Sequence, residues 1–97
     1  MNNKFDLGRI VVTAGVDARM KEDNYFRSFV NRCLVRYEEC DWGSVDPEDK
    51  KTSDDAVKNG DRIMGVYEFV KDDKNLTIWI ITERDRSVTT ILFPHEY

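Results

Sequence analysis

The run from Leu76 to Thr82, Leu-Thr-Ile-Trp-Ile-Ile-Thr, constrains the fold more than any other part of the chain. Successive side chains of a strand point to opposite faces of its sheet, so Ile78 and Ile80 fall on one face while Trp79 and Ile81 fall on the other. A strand that is apolar on both faces belongs in the interior of a sheet. Glu83-Arg84-Asp85-Arg86-Ser87 follows, and Val88 to Phe93 then forms a second run rich in β-branched residues. Together they predict a β-hairpin whose turn carries four consecutive charges.

The period of two starts earlier, where Ile63, Tyr67 and Phe69 alternate with Met64, Val66 and Val70, and Asp72-Asp73-Lys74-Asn75 supplies a turn. Three strands in a meander follow. Arg9 to Thr13, with three consecutive β-branched residues between Gly8 and Gly15, predicts a short buried strand that joins the same sheet at a position left open. From Val16 the pattern turns helical, with Phe26, Phe29, Val30, Cys33, Leu34 and Tyr37 on one stripe and Arg27, Arg32, Arg36 and Glu39 opposite. Asp23 or Asn24 can cap a second helix, so the segment is one long helix or a helix broken after residue 22. Asp41-Trp42-Gly43-Ser44 ends it, Gly43 being able to take a positive φ and Trp42 requiring a pocket.

Asp46-Pro47-Glu48-Asp49 is a helix start: Asp46 accepts from orphan amides, Pro47 suits the first position, and the acids favour the positive end of the helix dipole. This short acidic helix should run to about Lys58, stop at Asn59-Gly60, and stay largely solvated, since Ala56 and Val57 are nearly its whole apolar content. The expected fold is α+β, a single domain over 1–97, with an N-terminal strand, the long or broken helix, the acidic helix, and a three-stranded antiparallel meander packed against the helices.

Composition agrees with a soluble globular domain: 97 residues, 40% apolar, 11% aromatic and 35% charged. No apolar run approaches the roughly 18 to 20 residues that span a bilayer, and no apolar leader opens the chain, so a cytoplasmic location is expected. Cys33 and Cys40, seven apart in what reads as one helix, would sit about 10 Å apart, beyond disulfide reach. Both are expected to be reduced core residues. The formal charge of −4 is unevenly spread, at +3 over residues 1 to 37, −6 over 38 to 55 and −1 over the rest.

That acidic segment, Glu38, Glu39, Asp41, Asp46, Glu48, Asp49, Asp54 and Asp55, offers a negative surface to a basic, nucleic-acid-binding protein partner, set against plain solvation. The hairpin turn Glu83, Arg84, Asp85, Arg86 is the second candidate, because exposed ion pairs add little stability and leave room for recognition. A nucleic-acid reading through Arg27, Arg32, Arg36, Arg84 and Arg86 conflicts with the acidic balance of the chain. His95 could pair with Glu96 or Glu83 to activate Thr89 or Thr90, but no spacing demands it. One histidine and two cysteines make no metal ligand set, the acids lack EF-hand spacing, and the glycines form no phosphate loop. No catalytic residue, metal or cofactor is expected.

Asp41-Trp42-Gly43, Asn59-Gly60-Asp61-Arg62 and the segment from Ile78 to Tyr97 resemble a family of small bacterial proteins encoded on plasmids, conjugative elements and phages, labelled plasmid-related protein or, misleadingly, type I restriction subunit. The resemblance spans most of the chain and carries no catalytic residues with it. It implies a genetic setting in which small proteins block host defences, as anti-CRISPR and anti-restriction proteins do. The expected function is therefore a non-enzymatic protein-binding factor of a mobile element, with a nucleic-acid-binding accessory protein as the alternative.

Overall fold

The computed structural model describes residues 4–72 and 74–97. Its elements in chain order are β1 (Arg9–Val12), α1 (Ala14–Glu22), α2 (Asn24–Glu38), α3 (Pro47–Asn59), β2 (Ile63–Lys71), β3 (Lys74–Thr82), β4 (Val88–Leu92) and a closing 3-10 turn (Pro94–Glu96). The sheet order is β1-β4-β3-β2, with the meander β2-β3-β4 antiparallel. This is the α+β arrangement that the pattern predicts, with β3 inside the sheet. The position left open for β1 is parallel to β4, from Arg9 opposite Val88 to Val12 opposite Ile91.

The helix is broken, and Asp23 breaks it. Its carboxylate accepts from the amides of Tyr25 and Phe26 at 2.9 and 3.2 Å, capping α2 while its own amide closes α1 on Arg19 O. α1 starts at Ala14, two residues before Val16, where the helical pattern begins. α3 follows its sequence signals closely: Asp46 accepts from the Asp49 amide at 2.8 Å, Pro47 opens the helix, and Gly60 closes it at φ 74°. Strand pairing continues to Lys71 opposite Lys74, so the connection is tighter than the four-residue turn expected; Asp73 lies outside the described residues.

Cys40 corrects one expectation. α2 ends at Glu38, and Cys40 sits beyond it at φ 65°, so the two thiols do not share a helix. Both are free, and burial pushes the Cys33 thiol up to about 12.

One face of the sheet carries the core. Ile63, Tyr67, Ile78, Ile80 and Ile91 meet Val16 of α1, Phe26, Phe29, Val30, Cys33 and Tyr37 of α2, and Ala56 of α3, with Phe5 and Leu7 closing the N-terminal end. Trp42 finds its pocket between Phe5 and Tyr37, at ring distances of 6.0 and 5.4 Å, and its indole N–H donates to Asp54 at 2.9 Å. Gly43 lets the following backbone touch β2, since an added Cβ would stand 2.0 Å from Val66 O.

A chain of hydroxyls crosses this core. Thr89 Oγ1 donates to Leu7 O at 2.6 Å and lies 2.7 Å from Thr82 Oγ1, which lies 2.8 Å from the Tyr37 hydroxyl. Each hydroxyl has one proton: with the Thr89 proton spent on Leu7 O, Thr82 must donate to Thr89, and Tyr37 donates to Thr82 at the shorter of its two contacts, the other being Ile63 O at 3.2 Å. The relay ties α2, β3, β4 and the N-terminal segment together without an unpaired group. Replacing Thr89→Val leaves a buried carbonyl at Leu7 without its donor and should cost about 1–3 kcal/mol in urea unfolding, while Thr90→Val on the other face should stay within about 0.5 kcal/mol.

Candidate functional site

The charged turn is stitched into the fold. Arg86 adopts φ 61°, and its guanidinium donates to Asp61 O at 2.6 Å and Ala56 O at 3.0 Å, the carbonyl that also receives the Gly60 and Asp61 amides. It therefore caps the C-terminus of α3, where the helix dipole favours a cation. Asp85 accepts from the Ser87 amide at 3.0 Å, and hydrogen bonding to Ser87 holds its carboxyl below the ordinary range. Glu83 faces Arg62 at 3.9 Å, and Arg84 is exposed.

Several carboxylates of the acidic segment also have structural partners. Asp41 receives a two-pronged bond from Arg36 at 2.8 and 3.2 Å and a third from the Gly43 amide, with the Arg36 bond foremost in holding its carboxyl below the usual range. Asp46 caps α3, Asp54 anchors Trp42, and Asp55 pairs with Lys51 at 3.5 Å. Glu39, Glu48 and Asp49 are exposed, and Glu38 is half-buried. Lys50, Lys51 and Lys58 are interleaved with the carboxylates of α3, which makes its surface mixed in sign.

His95 is exposed and stacks on Phe93 at 5.6 Å. The Glu96 carboxylate accepts from Thr13 Oγ1 at 2.6 Å, the Gly15 amide at 2.9 Å and the Phe93 amide at 3.1 Å, with the Thr13 bond foremost in keeping it below the ordinary range. Thr89 is buried in the relay. The structure does not bring His95, Glu96 and Thr89 together. Among the described residues, no group of three or more His, Cys, Asp or Glu side chains is placed to hold a metal, and no helix is long and apolar enough to cross a membrane.

The second face of the sheet is a different surface. Register places Met64 beside Ile81 and Thr90, and Val66 beside Trp79 and Leu92, with Val11 of β1 extending the first row. The exposed face of such a sheet is ordinarily polar. Here its rows are apolar, yet the helices bury their side chains on the other side; Ile81 and Leu92 are buried at 3% and 4% exposure but stand outside the main core cluster. Among the described residues, the C-terminal tail lies against this face: the Tyr97 ring meets Trp79 edge-on at 5.6 Å, and the Arg62 guanidinium sits 5.1 Å from the Tyr97 ring. Tyr97 itself stays 70% exposed. α3 flanks the face at β2, where a groove of about 220 Å³ is lined by Val45, Asp49, Thr52, Ser53, Arg62, Met64 and Val66.

Sequence reasoning found β3 but not this surface. The signal was present in Met64, Val66, Trp79, Ile81, Thr90 and Leu92, which share one parity across three strands. Their meaning depends on α1 and α2 packing on the other side, with α3 at the flank beside β2.

No protein-family model, curated protein or solved structure was found to match this chain.

The turn should separate under mutation. Arg86→Ala removes the cap of α3 and should lower the unfolding free energy by about 1–3 kcal/mol, whereas Arg84→Ala should change it by less than about 0.5 kcal/mol. Urea titration of both proteins compares them.

Proposed function

We propose that this chain is a non-enzymatic protein-binding factor of a mobile genetic element, an inhibitor of a host defence complex of the anti-CRISPR or anti-restriction type. The observation that carries the binding reading is the outer sheet face, an apolar surface centred on Trp79 and bordered by Tyr97, Arg62 and Asp49 of α3. Protein interfaces concentrate their energy in tryptophan, tyrosine and arginine set among apolar neighbours, with charge at the rim. This face has that composition. The resemblance of residues 41–43, 59–62 and 78–97 to plasmid, conjugative-element and phage proteins supports the genetic setting, and the exposed Glu39, Glu48 and Asp49 suit a basic, nucleic-acid-handling partner.

The alternative, a nucleic-acid-binding accessory protein, has less to draw on. Arg36 is engaged by Asp41, Arg86 by the carbonyls of α3, and Arg27 by the Asn24 side chain at 2.8 Å. Phosphate binding needs several cations at once.

Binding to purified Cascade-like complexes and restriction nucleases tests the reading. Trp79→Ala and Met64→Glu, at unchanged thermal midpoint, should each weaken the complex at least about tenfold. Joint reversal of Glu48, Asp49 and Asp55 should slow association and flatten its salt dependence. If no defence complex binds the wild-type chain, the inhibitor reading fails; if one binds and these variants bind equally well, the assigned surface is wrong.

A further inference from the structure

The two edges of the sheet are finished differently. At the start of β2, outward backbone groups are taken up: Ser53 Oγ donates to Met64 O at 3.0 Å, while Val66 N donates to Trp42 O at 2.9 Å and Val66 O accepts from Ser44 N at 2.7 Å. Along β1, Arg9 N donates to Ser87 O at 3.0 Å and Thr13 N to Ile91 O at 3.1 Å. In a parallel ladder alternate residues bond to the same neighbour, so the amides and carbonyls of Ile10 and Val12 point outward. Their side chains are 45% and 37% exposed. Natural sheets guard a free edge with short strands, charged side chains, proline or a bulge; β1 is four residues long and carries Arg9, but it has no proline or bulge, and its outward positions, Ile10 and Val12, carry no charge.

We propose that β1 pairs with β1 of a second copy of this chain, antiparallel about a two-fold axis at Val11, so that two four-stranded sheets become one. In this register the outward groups of Ile10 meet those of Val12 in the second copy, and symmetry repeats the pair. Both pairs are β-branched, which suits cross-strand packing. The charges also match. Arg9 comes opposite Thr13 of the second copy, whose hydroxyl holds the Glu96 carboxylate at 2.6 Å, and Arg9 and Thr13 share the outer face with Val11. Among the described residues Arg9 has no ion pair of its own, so each copy brings a cation to the other's carboxylate. A strand edge this short offers less area than the roughly 1,600 Å² of a tight complex, and the dimer is accordingly weak and reversible.

This pairing uses the edge of the sheet and stands independently of what binds its outer face. Sedimentation velocity of the full chain from about 10 µM to about 1 mM covers the range of weak association. The dimer fraction should rise with concentration, and amide exchange at Ile10 and Val12 should slow in step. Ile10→Lys with Val12→Lys, at unchanged thermal midpoint, should raise the dissociation constant at least about tenfold, and Arg9→Glu should weaken the dimer most at low salt. A chain that stays monomeric throughout, including one whose β1 is protected only by a strand of another protein, overturns the proposal. So does a dimer that the double lysine variant leaves intact, or one in which the Ile10 and Val12 amides exchange at the monomer rate.

Discussion

A strand that is apolar on both faces needs two kinds of cover, and this chain has helices for one. β3 sits inside the sheet, with Ile78 and Ile80 in the core shared with the helices and with Trp79 and Ile81 turned the other way. Burial of apolar area is the main favourable term in folding, so the helix-covered side explains why the chain folds. The opposite side is a surface that the fold alone does not call for. Its rows continue through Met64 and Val66 on β2 and Thr90 and Leu92 on β4, which makes it a property of the sheet rather than of one strand.

The charged residues divide along the same line between architecture and exposure. Arg86, Asp41, Asp46, Asp54 and Glu96 each close a helix end, a loop or a tail, and removing them would be felt first as lost stability. The relay from Tyr37 to Leu7 O does similar work in the interior, fixing the N-terminal segment against β4 with every proton assigned. Charges such as Glu39, Glu48 and Arg84 have no such duty. A partner can use them at little cost to the fold.

Local signals carried far in this chain. Asp46-Pro47 and Asn59-Gly60 mark both ends of α3 because caps are written in a few adjacent residues, and the parity of Ile63, Tyr67, Ile78 and Ile80 marks the core face of the meander. The place of β1 was not legible, because a parallel neighbour reached through three helices and two strands leaves no local trace. The work of Arg86 was hidden for the same reason: its acceptors, Asp61 O and Ala56 O, lie in another element. Charge alone made the turn look functional, while the outer face looked like ordinary interior. Three-dimensional placement of the helices reverses much of that impression.

The proposed role in defence escape is tested by a scan of every position that scores cellular abundance separately from escape of an incoming phage or plasmid from host defence. Substitutions that abolish escape at normal abundance should concentrate at Met64, Val66, Trp79, Tyr97 and Arg62, while those at Arg86, Asp46 and Thr89 should act through abundance. Escape-specific losses gathered instead at Arg27, Arg32 and Arg84, with the outer face tolerant, would contradict it.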